Sequence, residues 1–313
     1  MKKEDFLKKL FSIDTKSSNR TIVNIFGIKI KVLKKAAKDI SKKYFEFDGD
    51  ITEIPKATGY LRKIQLADLK LLKIFDKLCK DNNLEYFLNY GNLLGAVRHK
   101  GFIPWDDDVD ISMMRKDYDK LVKLFYNGIP NYDDLYFEFQ NNGVNKCLLK
   151  LKHKNVKNIA IDIFMTDFYY KKTTPEEKEK LNFLIHKIIN RRIYKLFRYI
   201  YKNNNDKMRT RILKTVNEEI LQGNTVDESI HPAIFDSIEF PHSNKYLVFD
   251  YEAIFPLNEL EYEGYKFPCP NDFDKVLKTE FGNYMSMPKN CYPRHSYSGD
   301  TTIDENLEKF INE

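Results

Sequence analysis

Between residues 61 and 78 the apolar positions Leu61, Ile64, Leu71, Ile74, Phe75 and Leu78 recur at helical spacing. This predicts an amphipathic helix that Asp81-Asn82-Asn83 brings to an end. A short strand is expected over 84–90, a glycine turn at Gly91-Asn92 and a second helix from about Leu93. A strand over 105–114 follows, then a helix over 115–125 with Tyr118, Leu121 and Phe125 on one face. Alternation marks strands at 136–139, at 147–152, where Leu149 and Leu151 interleave with Lys150 and Lys152, and at 159–164, where Ile159, Ile161 and Ile163 share a face. Thr174-Pro175-Glu176-Glu177 combines a capping hydroxyl, a first-turn proline and first-turn acids, so it opens a helix. Two long basic helices are expected over 175–203 and 206–222. Beyond them come a short β section at 246–250, a hairpin turning at Glu263-Gly264, and a helix over 271–281 capped by Asn271 and closed by Gly282. Long helices with interspersed strands specify an α+β fold.

Near the amino terminus, Ile28, Ile30 and Val32 alternate with Lys29 and Lys31 behind Gly27, which predicts a β-hairpin within 21–35. The competing reading of that segment is a contact with an anionic membrane surface. The chain divides into an appendage at 1–55, a catalytic domain at 56–295 with a helical insertion at about 175–222, and a tail at 296–313.

The chemistry concentrates in 90–114, YGNLLGAVRHKGFIPWDDDVDISMM. If 105–114 is extended throughout, Asp106, Asp108 and Asp110 point one way, and Asp107 and Val109 the other. Like charges on one face repel unless a cation neutralises them, and a hard divalent ion prefers carboxylate oxygens. Asp162 projects from the opposite side of its apolar strand, and a lone carboxylate there needs a partner. Asp108, Asp110 and Asp162 are therefore the expected ligands of Mg²⁺ or Mn²⁺ and the expected catalytic acids, with Asp162 placed to accept a proton. Gly91 and Asn92, opening a helix after a strand, are expected to offer N–H groups to a phosphate. Asp106, Arg98, His99 and Lys150 complete the expected phosphate-binding set, Lys150 as a point charge. For His99 a plain surface position is the alternative. A calcium loop is excluded, because the sixth and twelfth positions are Ile111 and Asp117 rather than Gly and Glu.

Bulk properties narrow this only slightly. Lys+Arg total 52 against 46 Asp+Glu, a net of +6, which fits small anionic substrates. With that charge read as spread along the chain, nucleic acid is not an expected partner. Arg191, Arg192, Arg198, Arg209 and Arg211 read as a solvated face, with contact to an acceptor or membrane as the alternative. Cys79, Cys147, Cys269 and Cys291 lie far apart with no CxxC pair, which speaks against a zinc site and fits a reducing cytoplasm. No run reaches the roughly 18 apolar residues of a membrane span, so a cytoplasmic place, at most at the inner face of a membrane, is expected.

Gly91, Leu93-Leu94-Gly95, Arg98-His99, Gly101-Phe102-Ile103-Pro104-Trp105 and Asp106-Asp107-Asp108-Val109-Asp110 together resemble the LicD family, which includes the fukutin group. A weaker likeness runs through Lys150, the Asp162 strand and 281–288. Where the family often reads GGTLLG, this chain has Tyr90-Gly91-Asn92 before Leu93. The resemblance implies a nucleotidyltransferase-like mixed sheet and a metal pair on Asp108, Asp110 and Asp162. It also implies transfer of a substituted phosphate, such as phosphocholine, from a CDP-linked donor to a cell-surface glycan, free or lipid-linked, with release of CMP. Two rivals remain: a DxD glycosyltransferase using a nucleotide-sugar, and a non-catalytic glycan-binding module on the same scaffold.

Overall fold

The structure is a computed structural model. It describes residues 42–44, 46–126, 132–140, 148–191, 196, 200, 205–236, 238, 247–288, 291–293 and 305–313, with the backbone of three strands nearer the amino terminus. Those strands, β1 (Phe11–Asp14), β2 (Arg20–Ile25) and β3 (Ile28–Leu33), form an antiparallel sheet. The β2–β3 pair, with Ile25 opposite Ile28, is the expected hairpin, whereas β1 was not anticipated. Gly27 lies outside the described residues.

Helix α1 (Gly59–Asp81) buries Leu61 and places Ile64, Leu71, Leu72, Phe75 and Leu78 in the main core, as its periodicity requires. The sheet it helps to cover has seven strands. At one end β4 (Phe87–Leu88) pairs antiparallel with β5 (Val109–Met114), and β5 pairs in parallel with the central β8 (Ile161–Phe168), with Asp110 opposite Asp162. The far side of β8 is shared by two neighbours. Its first half pairs with β7 (Leu148–His153), which pairs in turn with β6 (Leu135–Gln140). Its second half pairs with β9 (Ile234–Asp236), which carries β10 (Val248–Phe249). Helix α2 (Tyr90–His99) links β4 towards β5, and α3 (Arg115–Tyr126) leaves the end of β5.

Helix α4 (Pro175–Asn190) starts with a full capping box between Thr174 and Glu177. Most of 191–204 lies outside the described residues, so the full length expected for this helix is not described. Helix α5 (Asn205–Thr215) runs into a π-helical turn at Val216–Ile220. Leu181, Ile185 and Ile188 of α4 and Met208 and Ile212 of α5 form a second, smaller core against Phe235. Then come α6 (Tyr251–Ile254), the hairpin β11 (Asn258–Tyr262) and β12 (Tyr265–Cys269), α7 (Phe273–Phe281) and α8 (Glu305–Asn312).

Several expectations need correction. The strand of 105–114 begins only at Val109, because Asp106 N–H donates to the Ile103 carbonyl at 2.8 Å in a turn that keeps the first three acids in a loop. The strand of 84–90 shrinks to two residues, because the helix already starts at Tyr90. Tyr90, not Gly91, takes the left-handed backbone there, with φ 46°. Asp272 rather than Asn271 caps α7: its carboxylate accepts from Lys275 N–H at 3.0 Å, while the Asn271 amide donates to the Glu252 carbonyl at 3.0 Å. The tail contains the unexpected helix α8, and Cys79, Cys269 and Cys291 are buried free thiols.

Candidate active site

The parallel pair β5–β8 places Asp110 and Asp162 side by side near its amino-terminal end, and the loop before β5 brings three more acids. Carboxylate oxygens of Asp106, Asp107 and Asp108 lie within 4.8 Å of one another, the one such gathering of three metal-binding groups among the described residues. Asp108 thus belongs both to this triplet and to the set read from the sequence, whereas Asp110 and Asp162 stand outside the triplet. Asp107 is buried and Asp106 and Asp108 are half-exposed, which keeps the side alternation expected of them despite the lack of a strand. The donors are all carboxylate oxygens, a set that fits a hard divalent cation.

The amino terminus of α2 faces this cluster. An added Cβ on Gly91 would come within 2.6 Å of an Asp106 carboxylate oxygen and push that side chain aside, so glycine here serves close approach rather than the turn. The positive end of the helix stabilises negative charge there. Asn89, at the cap position, donates its amide to Ser112 Oγ at 2.8 Å and makes no cap bond.

Asn92 differs from its expected role. It is buried, its oxygen accepts from Asp110 N–H at 2.6 Å, and its amide donates to the Tyr262 hydroxyl at 2.8 Å. Asn92 therefore fixes the entry of β5 in place of offering a donor to phosphate. Arg98, only 4% exposed, is also turned inward: Nε donates to His99 Nε2 at 2.9 Å and Nη1 to the Tyr284 carbonyl at 2.8 Å. Burial lowers the Arg98 pKa to about 10. Burial and the Arg98 charge lower His99 to about 3, so the imidazole is neutral at physiological pH and supplies no cationic phosphate contact. With Nε2 accepting, the proton resides on Nδ1, which is buried and has no partner among the described residues. Lys150 does stand beside the acids, but its ammonium donates to both oxygens of Asp162, at 2.5 and 2.7 Å. Lys150 is thus paired with an acid of the site rather than standing free for a phosphate oxygen.

Residues the sequence did not single out hold the acid loop in place. Gln65 donates to the Asp106 carbonyl at 2.9 Å, and Tyr44 donates to the Pro104 carbonyl at 2.9 Å. Trp105 packs against Tyr44, with ring centroids 5.1 Å apart, and under the Arg98 guanidinium at 5.8 Å. Asp68 is the largest omission. Fully buried on α1, it accepts from Ala160 N–H at 3.1 Å, while Oδ2 has no partner among the described residues. Burial, then the charges of Asp108, Asp107 and Asp162, push its pKa well above the usual range. A signal was present: Asp68 occupies the gap in the apolar stripe between Ile64 and Leu71.

Residues 83–196 match the model of the LicD/FKTN/FKRP nucleotidyltransferase domain. Among similar proteins is a lipopolysaccharide cholinephosphotransferase LicD of Haemophilus influenzae, 47% identical over 66 residues, which are 21% of this chain and 25% of that protein. An uncharacterised protein of Rickettsia typhi is 32% identical over 117 residues, covering 34% of this chain and 37% of its own. One of Rickettsia prowazekii is 35% identical over 104 residues, covering 33% and 34%. The matched stretches thus span only 25% to 37% of these relatives' lengths.

Proposed function

Because residues 83–196 are a LicD-family nucleotidyltransferase domain, and the chain is thereby a member of that family, we propose that it transfers a substituted phosphate, phosphocholine or a similar group, from a CDP-linked donor to a hydroxyl of a cell-surface glycan, releasing CMP. The observation that carries this reading is the set of five carboxylates, Asp106, Asp107, Asp108, Asp110 and Asp162, gathered where β5 and β8 begin and where α2 presents its amino terminus. The Haemophilus relative's name supports choline as the first substituent to try.

Asp108, Asp110 and Asp162 would hold Mg²⁺ or Mn²⁺, with Asp106 and Asp107 as neighbours. A bound ion of this kind neutralises diphosphate charge and favours departure of the nucleotide. The chain's own residues do the positioning. Asn92 locks the Asp110 backbone, Lys150 holds Asp162 in one orientation, and the start of α2 directs N–H groups at the phosphates. Trp105, 6% exposed, anchors the loop that carries the first three acids.

The test is incubation with Mg²⁺, a glycan acceptor and a panel of CDP-choline, CDP-ethanolamine, CDP-glycerol and CDP-ribitol, assayed for CMP and for phosphorus on the glycan. Asp108→Asn and Asp110→Asn should each lower turnover by about 100-fold or more with unchanged melting, and Asp162→Asn should lower it as far while also lowering the melting temperature, because Lys150 loses its charged partner. Near-normal turnover in Asp162→Asn would remove that residue from the site. Release of a nucleoside diphosphate with a phosphorus-free glycan would instead identify a glycosyltransferase.

A further inference from the structure

The buried side chains of α1 are apolar except at two positions, Gln65 and Asp68. Three residues apart, these two lie on one face of the helix. Each reaches a different part of the chain that carries the acids. Gln65 donates to the carbonyls of Ile103 at 3.3 Å and Asp106 at 2.9 Å, in the loop before β5. Asp68 Oδ1 accepts from Ala160 N–H at 3.1 Å, two residues before Asp162. Helix α1 thus lies behind both the acid loop and the start of β8, and Asp68 is its fully buried acid there.

The Ala160 bond accounts for only one of the two carboxylate oxygens. Oδ2 is buried and has no hydrogen-bond partner among the described residues. Asparagine would give Ala160 the same acceptor without burying an ionisable group, which is costly where nothing pairs with it. The surroundings add to that cost, because the charges of Asp108, Asp107 and Asp162 all bear on Asp68. Lys150 offers no relief, since its ammonium is given to Asp162. A carboxyl in this place is therefore unfavourable in the protein's own charge balance, and a positive charge held among the acids reverses the sign.

We propose that Asp68 is a further acid of the divalent-cation site, its free Oδ2 adding negative charge to the ion's surroundings from the α1 side. Affinity for such an ion rises with the number of charged groups around it. The proposal rests on the cation invoked for the transfer reaction, and it adds a residue outside 83–196, the stretch that matches the family's domain. It also explains why the triplet Asp106, Asp107 and Asp108 is backed by a polar face of α1 instead of a wholly apolar one. The competing role for Asp68 is purely structural, as the acceptor that orients Ala160 at the entry of β8.

The test reads metal binding and needs neither donor nor acceptor. Mn²⁺ is titrated into the full chain and the free ion followed by electron paramagnetic resonance, alongside thermal melting without metal. Asp68→Asn keeps the acceptor for Ala160 and removes the charge. It should melt no lower than the parent and bind Mn²⁺ about 10-fold or more weakly. Asp68→Ser, smaller and still an acceptor, should lose as much affinity, so the test stands even where the Asn chain fails to fold. Parent-like affinity in Asp68→Asn, or a loss confined to Asp68→Ser, overturns the proposal and leaves Asp68 as a support of β8 alone. A parent that binds no Mn²⁺ overturns it too, and with it the cation of the proposed transfer. Binding that persists unchanged in Asp108→Asn lies outside this site and has the same consequence.

Discussion

Asp236 illustrates how much one enclosed side chain contributes. It lies fully buried on β9, and its Oδ2 accepts from the Tyr90 hydroxyl at 3.0 Å. Burial raises its pKa from 3.8 to about 7, against the opposing effect of the Tyr90 bond. Glu280 nearby is also pushed up, by burial and then by the Asp236 charge, and its Oε2 has no partner among the described residues. With the folded pKa above the unfolded one, the Asp236 contribution to stability is fully present below about pH 4 and is lost as pH rises through 7. Asp236→Asn keeps an acceptor for Tyr90 and removes the charge. It should stabilise the protein at pH 8 by roughly 1 to 4 kcal/mol, with the gain shrinking towards pH 4, as read by denaturant unfolding at both ends. A variant less stable than the parent at pH 8 would show that the carboxylate charge is already compensated.

At the scale of elements, the β11–β12 hairpin acts as a clamp on the acid loop. Glu263 and Gly264 both take left-handed backbone, φ 52° and 81°, the geometry of a tight hairpin turn, and this was readable from the dipeptide. What the dipeptide did not reveal is where the Glu263 side chain goes. Its carboxylate accepts from Lys56 at 2.7 Å, from Arg62 at 2.7 and 2.9 Å, and from Phe102 N–H at 3.3 Å, while its own N–H donates to the Lys100 carbonyl at 2.8 Å. Burial alone would raise its pKa, but the Arg62 and Lys56 bonds outweigh it and hold the acid at about 2. A depressed carboxylate contributes above the unfolded value of about 4.5 and loses that contribution as pH falls towards 2. Glu263→Gln should therefore cost about 2 to 4 kcal/mol at pH 7, and the difference from the parent should narrow as both are titrated to pH 3. A pH-independent difference would mean that shape, not charge, holds the hairpin.

For the whole molecule, the carboxy-terminal helix closes the core instead of trailing from it. Leu307 and Phe310 of α8 are buried against the main cluster. The Phe310 ring lies 4.7 Å from His153 of β7 and beneath Lys70 of α1 at 4.9 Å, while Glu308 pairs with Lys63. One aromatic thus joins the last helix to the first helix and the sheet. Phe310→Ala should lower unfolding free energy by about 3 kcal/mol, with a matching drop in melting temperature. A loss below about 0.5 kcal/mol would show that α8 adds no closure.

What the amino-acid order determined by itself was local or dense. The apolar repeat of α1, the Thr174 capping box, the alternation in β7 and β8 and the Glu263-Gly264 turn are set by near neighbours, and the structure retains each. The unbroken run from Gly91 to Asp110 was equally legible as a candidate site, because its chemistry lies within twenty residues of chain. Only tertiary structure decided that Asn92 pins Asp110, that Arg98 and His99 turn inward, and that Lys150 binds Asp162. It also brought Asp68 beneath the acids from a helix some forty residues earlier. The physical reason is that burial and long-range pairing set a side chain's direction and charge state, and neither is a property of its sequence neighbours.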